Sequence, residues 1–209
     1  MTSQAIQHLV NEHQEAKTFL NVLELHLKEI RSDEHSDLRE ASALLEYLSE
    51  LFFVKHEEKE ETILLPELFR ERRLTDTSQI RLLREQHQRG QTLLNTLWKA
   101  LRPGEVWGPG QREHFLASAD RWIHYIRGHL KYEEAHLFPL LEEQLDPELD
   151  AFMLREFEKV EEEYRGLPDA LRLRAVADEF VERTLARLSL LANGPEVMDM
   201  GRLDQDQVR

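Results

Sequence analysis

Apolar residues recur near the start of the chain at Ile6, Leu9, Ala16, Leu20, Leu23, Leu27 and Ile30. The steps of three and four mark the core seam of an amphipathic helix, predicted from about Ser3 to about Ile30. One slot in that seam holds a histidine, His13. The stretch RSDEHSD breaks the pattern, and a second helix is predicted from about Ser36 to about Arg72. Its seam runs through Phe53, His56, Glu60 and Ile63, and Pro66 marks a kink or stop near its end. The segment TDTS offers N-caps for a third helix with the seam Ile80, Leu83, His87, Gly90, Leu94, Leu97 and Leu101. After the loop PGEVWGPG, a fourth helix is predicted from about Gln111 to about Leu145. Its seam is Phe115, Ala119, Trp122, Ile126, His129, Glu133, His136 and Leu140. Two further helical stretches follow at about 147–165 and about 169–192, and residues 193–209 read as a flexible tail.

The first four helices are one helix pair written twice. EHQEAKTFLNVL at 12–23 aligns with QHQRGQTLLNTL at 86–97, and HEEKEETILLPEL at 56–68 aligns with HLKYEEAHLFPLL at 129–141. Two like hairpins packed face to face predict an all-α, up-down-up-down four-helix bundle with a pseudo-twofold axis, plus two C-terminal helices. The expected organisation is a bundle over residues 1–146, a helical extension over 147–192, and the tail. The two C-terminal helices would cap the bundle or form a homodimer surface.

The repeat keeps one histidine on its first helix and His-x-x-x-Glu on its second. Residues four apart share a helix face, so His56 with Glu60, and His129 with Glu133, each turn a nitrogen and a carboxylate inward. Counted from the interhelical turns at 1.5 Å per residue, His13, His56, His87 and His129 fall at similar levels. The six side chains can therefore meet in one layer. A lone histidine in a core is usually a hydrogen-bonded core residue. Four at repeat-related core slots, two with a matching glutamate, are costly to bury unpaired. Two divalent cations would satisfy them, each taking two histidine nitrogens, with the glutamates as bridges. Nitrogen and oxygen donors of this kind suit iron, manganese or zinc. A polar layer that fixes bundle register is the alternative.

Other residues carry weaker signals. Glu57 follows His56 and is a supplementary ligand candidate, although it points about 100° away on an ideal helix. His136 forms Glu-x-x-His with Glu133, a spacing that binds metal in ferritin-like di-iron bundles, but its repeat mate is Ile63. Glu61 and Glu134 recur in both halves, off the seam, where they can hydrogen-bond to ligands. Tyr125, one turn before His129, reads first as a core residue, with donation of its hydroxyl to a bound oxygen species as the alternative. His8, His26, His35, His114 and His124 have no repeat partner and read as surface or half-buried positions.

Composition narrows the classes. Asp+Glu 41 against Lys+Arg 27 gives a formal net charge of -14, which repels nucleic acid and anionic membranes. With no cysteine, disulfides, thiolate metal sites, iron–sulfur ligation and cysteine nucleophiles are excluded. No apolar run approaches a membrane span, and the N-terminus lacks the pattern of a secretory signal, so a cytoplasmic location is the default expectation. HEEKE at 56–60 is not the zinc-protease HExxH, because Glu60 stands in place of the second histidine.

At His13, His56-Glu-Glu-Lys-Glu60, His87 and His129-Leu-Lys-Tyr-Glu133 the sequence resembles the hemerythrin-like, or HHE cation-binding, family, over about residues 5–145. The flanks EETILLPEL and EEAHLFPLLEE resemble the family's stretch after the motif. The resemblance implies two iron ions, Fe2+ or Fe3+, with an oxo, hydroxo or water bridge, meeting oxygen, nitric oxide or peroxide. Two departures matter. Oxygen carriers of the family have a further histidine where this chain has Gln91, and an aspartate where it has Glu133. A more carboxylate-rich site favours the oxidised metal. That shifts the expectation from reversible oxygen carriage towards sensing, iron handling or reaction with oxygen species. A peroxidase- or oxidase-type enzyme and a helical interaction module with structural metal are the alternatives.

Overall fold

A computed structural model describes residues 3–32, 38–71, 73, 78–101 and 108–192, and every regular element among them is helical. Helix α1 is Gln4–Ser32. Helix α2 runs continuously over 38–70, α3 is Ser78–Leu101, and α4 covers 109–142. Helices α5, Pro147–Arg165, and α6, Ala170–Ala192, follow. The all-helical reading holds. The predicted tail at 193–209, most of the two longer loops, TDT of the predicted cap, and His35 lie outside the described residues. No described helix is long and apolar enough to cross a membrane.

The apolar seams close into two separate cores. One joins Ala5, Ile6 and Leu9 of α1 with Leu64, Leu65 and Leu68 of α2, Ile80 and Leu83 of α3, and Leu137, Phe138 and Leu141 of α4. Thus the N-terminal ends of α1 and α3 meet the C-terminal ends of α2 and α4. Leu149, Met153 and Phe157 of α5 complete it. The second core gathers the opposite ends of the same four helices, from Ala16 to Ile30 on α1 and from Phe115 to Leu130 on α4. Leu173, Ala177 and Phe180 of α6 cover it. Between the two cores each helix carries buried polar residues instead: Glu12 and His13, His56 with Lys59 and Glu60, His87, and His129 with Glu133. Each core removes apolar surface from water at roughly 25 cal/mol per Å², so the polar layer is clamped from both sides.

Helices α2 and α4 widen at matching places. The Leu65 N–H bonds to the Glu60 carbonyl, and the Phe138 N–H to the Glu133 carbonyl, five residues back in each case. A proline comes next in both helices, Pro66 and Pro139. Proline has no N–H, and its ring crowds the carbonyl four residues back, so the preceding turn opens to i→i+5 spacing. These two widened turns start around the two seam glutamates, unlike a third in α2 at Tyr47–Phe52, which no proline follows.

The extension is bound to the first four helices by more than apolar contact. Asp146 caps α5 by accepting from the Leu149 N–H at 2.9 Å. One turn on, Asp150 caps α1 across space. It accepts from the Ser3 hydroxyl and from the Gln4 and Ala5 N–H groups, the last two at 2.9 Å each. A carboxylate at a helix N-terminus satisfies orphan donors and complements the helix dipole. Asp150→Ala is therefore expected to lower stability by about 1–2 kcal/mol in urea unfolding, with helical content retained by circular dichroism. Asp150→Asn is expected to recover part of the loss.

Candidate metal centre

Four imidazoles turn their Nε2 atoms into the polar layer. His13 Nε2 lies 3.0 Å from His56 Nε2, and the rings of His87 and His129 pack edge to face at 4.9 Å. Two facing lone pairs repel, so a proton or a metal ion must lie between the nitrogens of the first pair. Glu133 sends Oε2 to His13 Nε2 at 3.2 Å and Oε1 to His129 Nε2 at 3.1 Å. Glu60 sends Oε1 to His56 Nε2 at 3.7 Å and Oε2 to His87 Nε2 at 3.4 Å. Each carboxylate thus offers one oxygen to each histidine pair. Two groups of inward-facing donors lie close enough to share an ion: His13, His56, Glu60 and Glu133, and His87, His129 and Glu133. The structure brings together all six residues singled out in the sequence.

The donor set is unsatisfied in a way that suits a cation. Both oxygens of Glu60, both of Glu133 and His87 Nε2 are buried and make no hydrogen bond among the described residues. His87 Nε2 approaches Glu60 and Glu133 at 3.4 and 3.6 Å without hydrogen-bond geometry. Buried polar atoms normally have partners, and each one left without costs about 1–3 kcal/mol. Divalent ions between the pairs would engage all five atoms.

The outer nitrogens are all engaged. His13 Nδ1 donates to Glu134 at 3.0 Å, His56 Nδ1 to Glu12 at 2.8 Å, His87 Nδ1 to Glu61 at 2.6 Å, and His129 Nδ1 to Gln86 at 2.9 Å. An Nδ1–H so held fixes the tautomer that leaves the Nε2 lone pair free for a metal, and it makes the ring a stronger donor. Glu61 and Glu134 take the role their recurrence suggested. Glu12 and Gln86 were missed in the seam reading, which follows only one face. The signal was present, since each precedes the seam histidine of its helix inside the repeated segment.

Several expectations need correction. His136 is exposed and packs its ring on Tyr132 at 5.4 Å, away from both ligand groups. The widened turn at Glu133–Leu137 rotates it off the seam and brings Leu137 into the core. His26 is buried rather than peripheral, edge-on to Phe180 of α6 at 5.1 Å. The extension that covers it was not foreseeable from the α1 pattern. Glu57 is half-buried and belongs to neither ligand group, and burial pushes its carboxyl up. Tyr125 donates its hydroxyl to the Gln86 carbonyl at 3.0 Å, holding α3 against α4.

Protonation in the layer alternates. Burial, with positive charge at His56, pushes His13 down to about 2. Burial, with positive charge at His87, pushes His129 down to about 3. Their partners go the other way. Burial opposes charge on His87, but Glu133, Glu60 and Glu61 outweigh it and raise it to about 12. At His56 burial is likewise outweighed, by Glu60 and Glu12, and its affinity for a proton rises. Burial and the Glu60 charge raise Glu133 to about 8. At Glu60 the burial cost is overcome by His56 and His87, which bring it to about 2. His87 and Glu133 therefore hold protons at neutral pH that ligation must displace, and His56 binds a proton more tightly than a free imidazole. Metal affinity is expected to climb from pH 6 to pH 8 by about tenfold per pH unit for each proton displaced, and to climb less steeply above pH 8 once Glu133 has ionised. Chelator competition across that range, with proton release followed by an indicator dye, checks this.

No curated protein and no solved structure gives a significant match to this chain. The family model described as the hemerythrin HHE cation binding domain matches residues 4–141, from the first turn of α1 to the last of α4, and leaves α5 and α6 outside. The match covers all six inward-facing donors and their outer partners, and the chain belongs to the hemerythrin HHE cation-binding family.

Proposed function

We propose that this chain is a non-haem di-iron protein that binds, senses or reacts with oxygen, nitric oxide or peroxide, or handles iron. His13, His56, Glu60 and Glu133 would hold one ion; His87 and His129 would hold the other, sharing both glutamates. The observation that carries the reading is the pair of fully buried carboxylates, each with an oxygen towards each histidine pair and none hydrogen-bonded among the described residues. The meeting of opposite helix ends in the two cores, and the widened turns 73 residues apart, support the finer reading of an up-down-up-down bundle with a pseudo-twofold repeat.

When bound, such ions supply Lewis acidity and one-electron redox chemistry. The protein's part is orientation and exclusion. Glu134, Glu12, Glu61 and Gln86 lock the imidazoles, and the two apolar cores keep bulk water from the layer. Beside the centre, burial pushes the Glu57 carboxyl up, against the charges on His87 and His56. Gln91 is exposed, so the position that bears a further imidazole in oxygen carriers contributes none here. That favours reaction or sensing over reversible carriage. The exposed Leu171, Val176, Leu185 and Leu188 on α6 suit a homodimer contact.

Plasma mass spectrometry of anaerobically iron-loaded protein is expected to find two irons per chain, matching the two donor groups that share Glu133. Near-ultraviolet absorption is expected to bleach on reduction and return in air. Glu133→Ala, which removes the residue common to both groups, is expected to fall to one iron or fewer. Catalysed loss of hydrogen peroxide would favour an enzyme over a stoichiometric binder. Equal stability with zinc, and no response to oxygen, would favour a helical module with structural metal.

A further inference from the structure

The outer hydrogen bonds of the four histidines reveal a difference between the two halves. Two of them match: His13 on Glu134 and His87 on Glu61, with a cation on each carboxylate, Lys17 at 2.6 Å and Arg84 at 3.5 Å. The other two do not. His56 donates to the carboxylate of Glu12, while its counterpart His129 donates to the amide of Gln86.

Behind Glu12 lies a network that the other half lacks. Lys59, 0% exposed, puts Nζ 2.6 Å from Glu12 Oε1 and 3.0 Å from His8 Nε2, and bonds to Glu161 of α5. Lys55 Nζ lies 3.4 Å from Glu12 Oε1 and 2.9 Å from Glu161 Oε1. His8, Glu12 and Glu161 have the spacing of a cation site, but the Lys59 ammonium already sits among them. The repeat counterparts of Lys59, Lys55 and His8 are Tyr132, Gly128 and Leu82, none of them charged. Two lysines against two glutamates balance the network. Its effect on the centre is therefore to hold one oxygen of Glu12 so that the other faces His56.

We infer that the two ion positions are unequal, and that Glu12, a positioning residue clamped by Lys59 and by Glu161 of α5, makes the His13–His56 position take the first ion. This rests on the di-metal reading above. A charge-assisted N–H···carboxylate bond is stronger than one to an amide. The imidazole it holds is the better donor, and loss of such a partner weakens metal binding by about 10–100-fold. Because the clamp comes partly from α5, the extension outside the family match takes part in the centre.

The test is anaerobic titration of the full apo-chain with ferrous iron by calorimetry, and with cobalt(II) by absorption. The wild type is expected to bind in two steps separated by about tenfold or more. His129→Ala is expected to keep the tight step, and His56→Ala only the weak one. Glu12→Gln makes the halves alike and is expected to weaken the first step until the two merge. Gln86→Glu is expected to tighten the second step, a gain that a merely structural role would not produce, and it decides the matter where Glu12→Gln fails to fold. Glu161→Gln is expected to weaken the first step alone, by less than Glu12→Gln. Two ions in one unresolved step, unmoved by Gln86→Glu, would overturn the inequality and leave the di-metal reading standing. Fewer than two ions after anaerobic loading would overturn both.

Discussion

Two carboxylates, Glu60 and Glu133, sit fully buried between two apolar cores, their oxygens without a hydrogen bond among the described residues. The rest of the structure is arranged around that strained electrostatic situation. An ionised carboxylate out of water is tolerable only beside compensating positive charge. The protein supplies four imidazoles around the pair, and each imidazole is fixed from behind by its own acceptor. The protons that His87 and Glu133 retain, and the raised proton affinity of His56, mark where cationic charge is wanted. The same positions are the ones two metal ions would take, which is why the geometry and the electrostatics point to one conclusion.

Packing gives the layer its rigidity. The cores above and below are built from the same seams that carry the donors, so moving a ligand means disturbing close-packed leucines and phenylalanines. The prolines after the two glutamates force wider turns, which place Leu64 and Leu137 in the core directly after the ligand turn. Helices α5 and α6 are more than appendages. Asp150 caps α1, Phe157 completes one core, Phe180 covers the other, and Glu161 reaches the lysines behind Glu12.

Much of this was legible in the chain. The heptad seams located four helices, and the duplicated segments singled out His13, His56, Glu60, His87, His129 and Glu133 as core-facing. What the pattern could not yield has a physical reason. A seam describes one face, so Glu12, Gln86 and Lys59, on the flank of that face, were invisible to it. An ideal helical count placed His136 on the seam; the proline-driven widening at Glu133–Leu137 took it off. Long-range partners such as Glu161 and Asp150 depend on how α5 docks, and no local periodicity encodes that.

The most direct test of the account is anomalous diffraction at the iron absorption edge from crystals of the iron-loaded protein. Two peaks are expected, one beside His13 and His56 and one beside His87 and His129, with Glu60 and Glu133 between them. Absence of anomalous density in this layer, or a single peak elsewhere on the molecule, would contradict it.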